Sequence, residues 1–137
     1  MTQQRQVEGI ARDTLYFILE ASKSSIPLEF AGLLRAEEGV ITEVIMLPGT
    51  ESSSKSALLR LYMLPNMRIV GSVHSHPSSD IRPSRADLIF FSKTGNYHII
   101  AGPPFDENSW ICYDGSGKPR RLPVSYTHLT LPTICSV

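Results

Sequence analysis

The chain has 137 residues, 42% hydrophobic and 19% charged, the balance of one globular domain able to bury a core without disulfides or a structural metal. Its 13 acidic and 13 basic residues leave a formal net charge of +0, which argues against a broad surface for nucleic acid or anionic membrane. The cysteines, Cys112 and Cys135, form neither a C-x-x-C pair nor a disulfide framework, so any metal must be held by His and carboxylate ligands.

Met1 to Gly9 is polar and lacks the apolar run of a signal peptide. No stretch approaches the ~20 apolar residues of a membrane span, so a cytoplasmic protein with no membrane and no nucleic-acid partner is expected. Val7, Ile10, Ala11, Leu15, Ile18 and Leu19 recur at helical spacing, which predicts a helix over 6–24. Strands are predicted at 29–35 and 40–47, the second ended by Pro48-Gly49, and another at 57–64 beyond the Ser-rich stretch 51–56. The most informative strand is 68–76. Alternation puts Ile69, Gly71 and Val73 on one face and Val70, Ser72, His74 and His76 on the other.

A loop follows from Pro77 to Pro83, then a helix over 84–94 stopped by Gly95. Further strands are predicted at 97–101 and 110–113, and a last one at 120–124. Helices and strands mix without strict alternation, so the expected class is α+β.

The chemistry concentrates in His74-Ser75-His76-Pro77, then Ser84, then Asp87. Histidines at i and i+2 on a strand point to the same side, so their rings can converge on one ion. A catalytic zinc takes three protein ligands and keeps a fourth position open for water. A strand–loop–helix reversal can bring Asp87, in the first turn of its helix, back to the end of the strand. The ion would lower the pKa of its water toward roughly 7. A structural reading stands beside this one. Ser84 and Asp87 also outline a helix capping box, and a lone strand histidine is more often a packed residue. The two readings are compatible, because a cap can orient a helix that carries a ligand.

H-x-H-P, a Ser eight residues after the second His and an Asp three further on resemble the JAMM (MPN-plus) signature as it stands. Glu29, in Pro27-Leu28-Glu29-Phe30-Ala31-Gly32-Leu33-Leu34, occupies the place of that family's upstream glutamate. The segment 106–110, Asp-Glu-Asn-Ser-Trp, is similar to prokaryotic members, and the likeness runs from Val7 to about Val124. The resemblance implies a single JAMM/MPN domain over 1–123: a curved, mostly antiparallel sheet flanked by helices, of cytidine-deaminase-like architecture. It implies one Zn2+ per chain held by His74, His76 and Asp87. It also implies Glu29 as general base and Ser84 as the oxyanion donor. The implied activity is that of an isopeptidase acting on the tail of a ubiquitin-like or sulfur-carrier protein. The rivals are a non-catalytic MPN scaffold and another zinc hydrolase. A nucleoside-type deaminase needs H-x-E and P-C-x-x-C, and this chain has neither.

His98 is expected to be a strand residue with a structural hydrogen bond, or a residue supporting a ligand. Cys112 and Trp110 are expected in the core or a pocket wall, and Phe90 and Phe91 in packing. Asp106 and Glu107 are loop candidates for touching substrate. Residues 124–133 resemble the translation of a transposase-based sequencing adapter, so 124–137 is expected to be a non-native tail that packs only opportunistically.

Overall fold

A computed structural model describes residues 6–46 and 68–126 of the chain. The strand expected at 57–64 and the Ser-rich loop before it lie outside these residues. The described elements are β1 Gly9–Ala11, α1 Arg12–Ser25, β2 Ala31–Glu37, β3 Val40–Met46, β4 Ile69–Ser75, α2 Arg85–Phe91, β5 Tyr97–Ala101, β6 Trp110–Tyr113 and β7 Val124–Ser125. The strands form one sheet in the order β6-β5-β4-β2-β3-β1-β7. The α+β class holds, but the sheet is mixed where a mostly antiparallel one was expected. β2 runs antiparallel to β3 and β4, and β5 to β6, while β1 is parallel to β3 and β7, and β4 to β5.

The first element departs most from expectation. The helix starts at Arg12, and Gly9–Ala11 is a strand. Gly9 and Ile10 pair with Val40 and Ile41, and the Ile10 N–H donates to the Pro123 carbonyl at 2.9 Å. Ile10 is buried in either conformation, so apolar spacing could not discriminate; the waiting sheet partner did. From Arg12 onward the helical spacing is obeyed, and Leu15, Ile18 and Leu19 are buried. They pack with Leu34, Ile41, Val73 and Ile99 to form the larger core on one face of the sheet.

β2 and β3 join through Glu38 and Gly39, whose φ values of 52° and 83° form a tight hairpin turn. β2 therefore extends two residues past the predicted Arg35, to Glu37. On the opposite face α2 buries Phe90 against Leu33, and Phe91 against Ile100 and Tyr113. α2 is shorter than predicted. Ser92, Lys93 and Thr94 turn through bonds back to Leu88, Phe90 and Phe91, and Gly95 follows at φ 115°.

β4 corrects the predicted faces at its start. Leu34 pairs with Gly71 but Arg35 pairs with Ile69, so Val70 sits in a register shift. One extra residue flips the alternation. Ile69 packs with Leu33 and Phe90, and Val70 with the α1 core. Beyond the shift Ser72 and His74 keep the predicted common face. The strand expected at 120–124 is reduced to an isolated Tyr113–Pro119 bridge and to β7, because Pro119 and Pro123 have no N–H to give a ladder. The first residues of the expected tail, Val124 and Ser125, pair with Ile10 and Ala11 at the sheet edge. Residues 127–137 lie outside the described ones. Among the described residues no helix is long and apolar enough to cross a membrane.

At Gly71 the backbone of β5 runs close against that of β4. A Cβ there would lie 1.5 Å from the Tyr97 carbonyl oxygen, which is backbone and cannot move aside. Gly71→Ala is expected to destabilise the fold by about 3 kcal/mol or more, or to abolish soluble expression; urea denaturation checks this.

Candidate metal centre

The candidate site sits where β2, β4 and α2 meet. Beyond the last regular pair of these strands, Ala31 with His74, the contact continues. The Ser75 N–H donates to the Phe30 carbonyl at 2.8 Å, and the Phe30 N–H donates to the Ser75 hydroxyl at 2.6 Å. These bonds hold Glu29 opposite His76 at the end of β4. Glu29 precedes β2 and is exposed, where a residue inside the strand was expected.

His74 and His76 project from the α2 face of β4, and their side chains are only 14% and 13% exposed. Asp87 reaches them from the first turn of α2. Its Oδ2 lies 3.1 Å from His76 Nε2, and its Oδ1 lies 4.0 Å from His74 Nδ1. The capping box is real as well. Ser84 Oγ accepts from the Asp87 N–H at 3.1 Å, and Asp87 Oδ2 accepts from the Ser84 N–H at 2.9 Å. Both readings of these residues describe one arrangement, since the bonds that start the helix also aim the carboxylate.

The free nitrogens of the histidines are set by their outer partners. His76 Nδ1 faces the Asp80 carbonyl at 2.9 Å, an acceptor only, so Nδ1 carries the proton and Nε2 turns toward Asp87. The loop carrying Asp80 is pinned by the Tyr113 hydroxyl, which donates to the Ile81 carbonyl at 2.6 Å. His74 Nε2 lies 3.1 Å from Ser72 Oγ, which leaves Nδ1 toward Asp87. Two nitrogens and a carboxylate therefore face one another at distances of 3.1 and 4.0 Å. Donors around a tetrahedral zinc stand about 3.3–3.6 Å apart for bonds of 2.0–2.2 Å. His74 Nδ1, and His76 Nε2 once it gives up its proton, oppose a carboxylate, and that donor set fits a cation between them. As the side chains stand, His76 and Asp87 bond each other. Among the described residues no group of three His, Cys, Asp or Glu is ready-made for a metal.

The protonation equilibria follow this geometry. Burial drives the His74 pKa down to about 4, against the pull of Asp87. His76 is raised, first by its bond to Asp87 and least by the nearby charge of Glu29. Burial works against ionisation of Asp87, but bonds from His76 and Ser84 outweigh it and hold the pKa at about 2.

An open groove of about 540 Å³ runs past the site, lined by Glu29, His76, Pro77, Asp80, Arg82 and Ser84 among others. Thus all the predicted residues are gathered: His74, His76 and Asp87 around one point, with Glu29 and Ser84 on the groove beside it. Asp106 and Glu107 are not on the groove. Asp106 closes its own turn through the Asn108 N–H and the Ser109 hydroxyl, and Glu107 receives the Tyr16 hydroxyl. Phe90, Phe91 and Cys112 are buried, and Trp110 packs against the α1 core. Burial pushes the Cys112 thiol up to about 12, so it is unreactive. The Asp80 carbonyl escaped sequence reasoning, because a backbone acceptor leaves no residue-type signal.

A family model for prokaryotic homologs of the JAB domain matches residues 12–113. A protein of Haloferax volcanii described as a probable metalloprotease is 44% identical over 139 residues, spanning 93% of this chain and 86% of its own. Among solved structures, one presented as JAMM, a metalloprotease-like zinc site in the proteasome and signalosome, superposes with a TM-score of 0.72 at 41% identity, covering 88% of this chain and 99% of that one. A JAB1/MPN domain protein from Archaeoglobus fulgidus gives a TM-score of 0.70 at 42% identity, covering 85% and 97%. A Desulfitobacterium hafniense protein shares the fold at 16% identity and a TM-score of 0.59, over 86% and 92%.

The buried histidines give the fold a pH dependence. His98, like His74, has a pKa lowered from 6.5 to about 4 by burial. Each takes up a proton more readily unfolded than folded, so its stabilisation is complete above pH 6.5 and lost as pH falls toward 4. His76, raised, acts in the opposite sense: its stabilisation is present below 6.5 and lost as pH rises through its folded pKa. Two groups oppose one, so unfolding free energy is expected to fall by on the order of 2 kcal/mol between pH 7 and 5. Urea titrations of chelator-treated protein at the two pH values check it, and equal stability would contradict it.

Proposed function

Given that the chain belongs to the prokaryotic JAB-domain family of metalloproteases, we propose that it is a zinc-dependent peptidase that hydrolyses an amide or isopeptide bond at the C-terminal tail of a ubiquitin-like protein. The observation that carries this reading is the convergence of His74 Nδ1, His76 Nε2 and the Asp87 carboxylate beside a groove that also holds Glu29 and Ser84.

In this reading His74, His76 and Asp87 hold the ion, one per chain. A zinc held there would supply Lewis acidity to the scissile carbonyl and would bring the pKa of water to near neutrality. The residues of the chain do the rest. Glu29 faces the groove outside the ligand set; it takes the proton of the attacking water and delivers it to the leaving nitrogen. Ser84 Oγ already accepts the Asp87 N–H, so its own hydroxyl proton is free to stabilise the developing oxyanion. The relative presented as a zinc site of the proteasome and signalosome supports a ubiquitin-like substrate. A tail ending in Gly-Gly is thin enough for a narrow groove and can add to an exposed strand edge.

Elemental analysis of wild type and His76→Ala, purified without added metal, tests the reading. About one zinc per chain is expected in wild type and little in the variant. A well-folded wild type that takes up no zinc on titration would instead identify a non-catalytic scaffold. Glu29→Gln should keep its zinc and lose about 10²- to 10⁴-fold in cleavage of ubiquitin-like fusions. Residues 127–137 carry no part of this function in our reading. A chain ending at Tyr126 is expected to match the full chain in zinc content and cleavage rate.

A further inference from the structure

A buried hydrogen-bonded chain runs from the candidate metal centre to the turn that precedes β5. His98 Nε2 lies 2.8 Å from the Gly95 carbonyl, His98 Nδ1 lies 2.8 Å from Ser72 Oγ, and the same Oγ lies 3.1 Å from His74 Nε2. Ser72 and His98 are both fully buried, so no water competes for these bonds. Register explains the placement: Ser72 and His98 are Cα partners in the parallel β4–β5 ladder, and His74 is two residues further along the same face. Phe91 stacks on His98 with ring centroids 4.2 Å apart and planes at 9°, and its centroid lies 5.9 Å from that of His74, so aromatic packing flanks both histidines.

The direction of every proton in the chain follows from its far end. A backbone carbonyl can only accept, so His98 Nε2 carries a hydrogen. His98 stays neutral near neutral pH, with a pKa pushed down to about 4 by burial. Its Nδ1 is then an acceptor, and the Ser72 hydroxyl must donate to it. Ser72 has a single proton and has spent it, so its oxygen accepts from His74 Nε2–H. A neutral His74 with its proton on Nε2 presents a lone pair on Nδ1, the atom that faces Asp87.

We propose that Ser72 and His98 are positioning residues that fix the His74 tautomer, so that Nδ1 and not Nε2 is offered to the metal. The proposal rests on the zinc reading for the identity of the ion, but the tautomer assignment stands without it. Neither residue touches substrate. Their role is to hold His74 in one protonation pattern before the ion arrives, as outer partners of metal-bound histidines do elsewhere. Supporting partners of this kind typically change metal affinity by about 10- to 100-fold.

The test uses the full chain, 15N-labelled, and long-range 1H–15N correlation spectra at pH 7.5 before and after zinc titration. Before zinc, His74 is expected to show a protonated Nε2 and a bare Nδ1. After zinc, the Nδ1 signal should shift and Nε2 should keep its proton. Ser72→Ala, which removes only a hydroxyl, is expected to populate the other His74 tautomer. In competition with a chromophoric chelator it should bind zinc about 10- to 100-fold more weakly. His98→Asn, whose amide oxygen can replace the Nδ1 acceptor, should retain more of the wild-type tautomer and affinity than His98→Phe. Thermal melts confirm that each variant is folded. A wild-type His74 protonated on Nδ1, or a folded Ser72→Ala with wild-type tautomer and affinity, would overturn the proposal. If wild type takes up no zinc, the metalloprotease reading fails, while the His74 tautomer in wild type and Ser72→Ala still decides the relay.

Discussion

The pair of bonds between Phe30 and Ser75 fixes the relation on which the rest of the site depends. Ser75 lies between the two histidines, so its side chain points to the opposite face of β4 from theirs. There it is buried and accepts from the Phe30 backbone. One residue thus ties β2 to β4 at the point where the regular ladder ends, and Glu29 is carried to the edge of the groove as a consequence. A slip of one residue between these strands would turn both histidines into the α1 core. The side chain between the two histidines is as much part of the arrangement as the histidines are.

The two cores serve different purposes. The α1 side is apolar and large, and supplies the burial that keeps the sheet together. The α2 side is smaller and interrupted by polar groups: Ser72, His74, His98 and the capping box of Ser84 and Asp87. Phe90 and Phe91 fill the space between, packing on His74 and His98 and withholding water from them. A polar network next to aromatic rings in a dry interior is costly unless each member is satisfied. Here the bonds run from backbone carbonyls inward and end on atoms facing one another across the site.

Much of this was readable in the sequence, and the failures have physical causes. The H-x-H-P run with its Ser and Asp pointed to the side chains that converge, because a period of two and a reversal into a helix leave few alternatives for where those side chains go. β5 and β6 coincide with the strands predicted at 97–101 and 110–113. Gly9–Ala11 was read as helix because three residues of strand carry no period of their own, and only the distant partners Val40 and Val124 decide their state. Ile69 and Val70 were assigned to each other's faces because a register shift in β4 has no residue-type marker. His98 was recognised as hydrogen-bonded, but its partner could not be named: the alignment of β4 with β5 is a tertiary fact. The mixed direction of the sheet has the same origin.

The double role of Asp87 has a consequence for motion. Its Oδ2 accepts from the Ser84 N–H and also faces His76, so the start of α2 and the candidate centre share an atom. A first helical turn is ordinarily the part that frays. Here fraying would swing the carboxylate away from the histidines, and any cation gripped there would resist that opening by its own binding energy. Ion escape and the opening of one helical turn become a single event. How long a cation dwells on this protein would then be governed by local breathing of a seven-residue helix as much as by ligand chemistry.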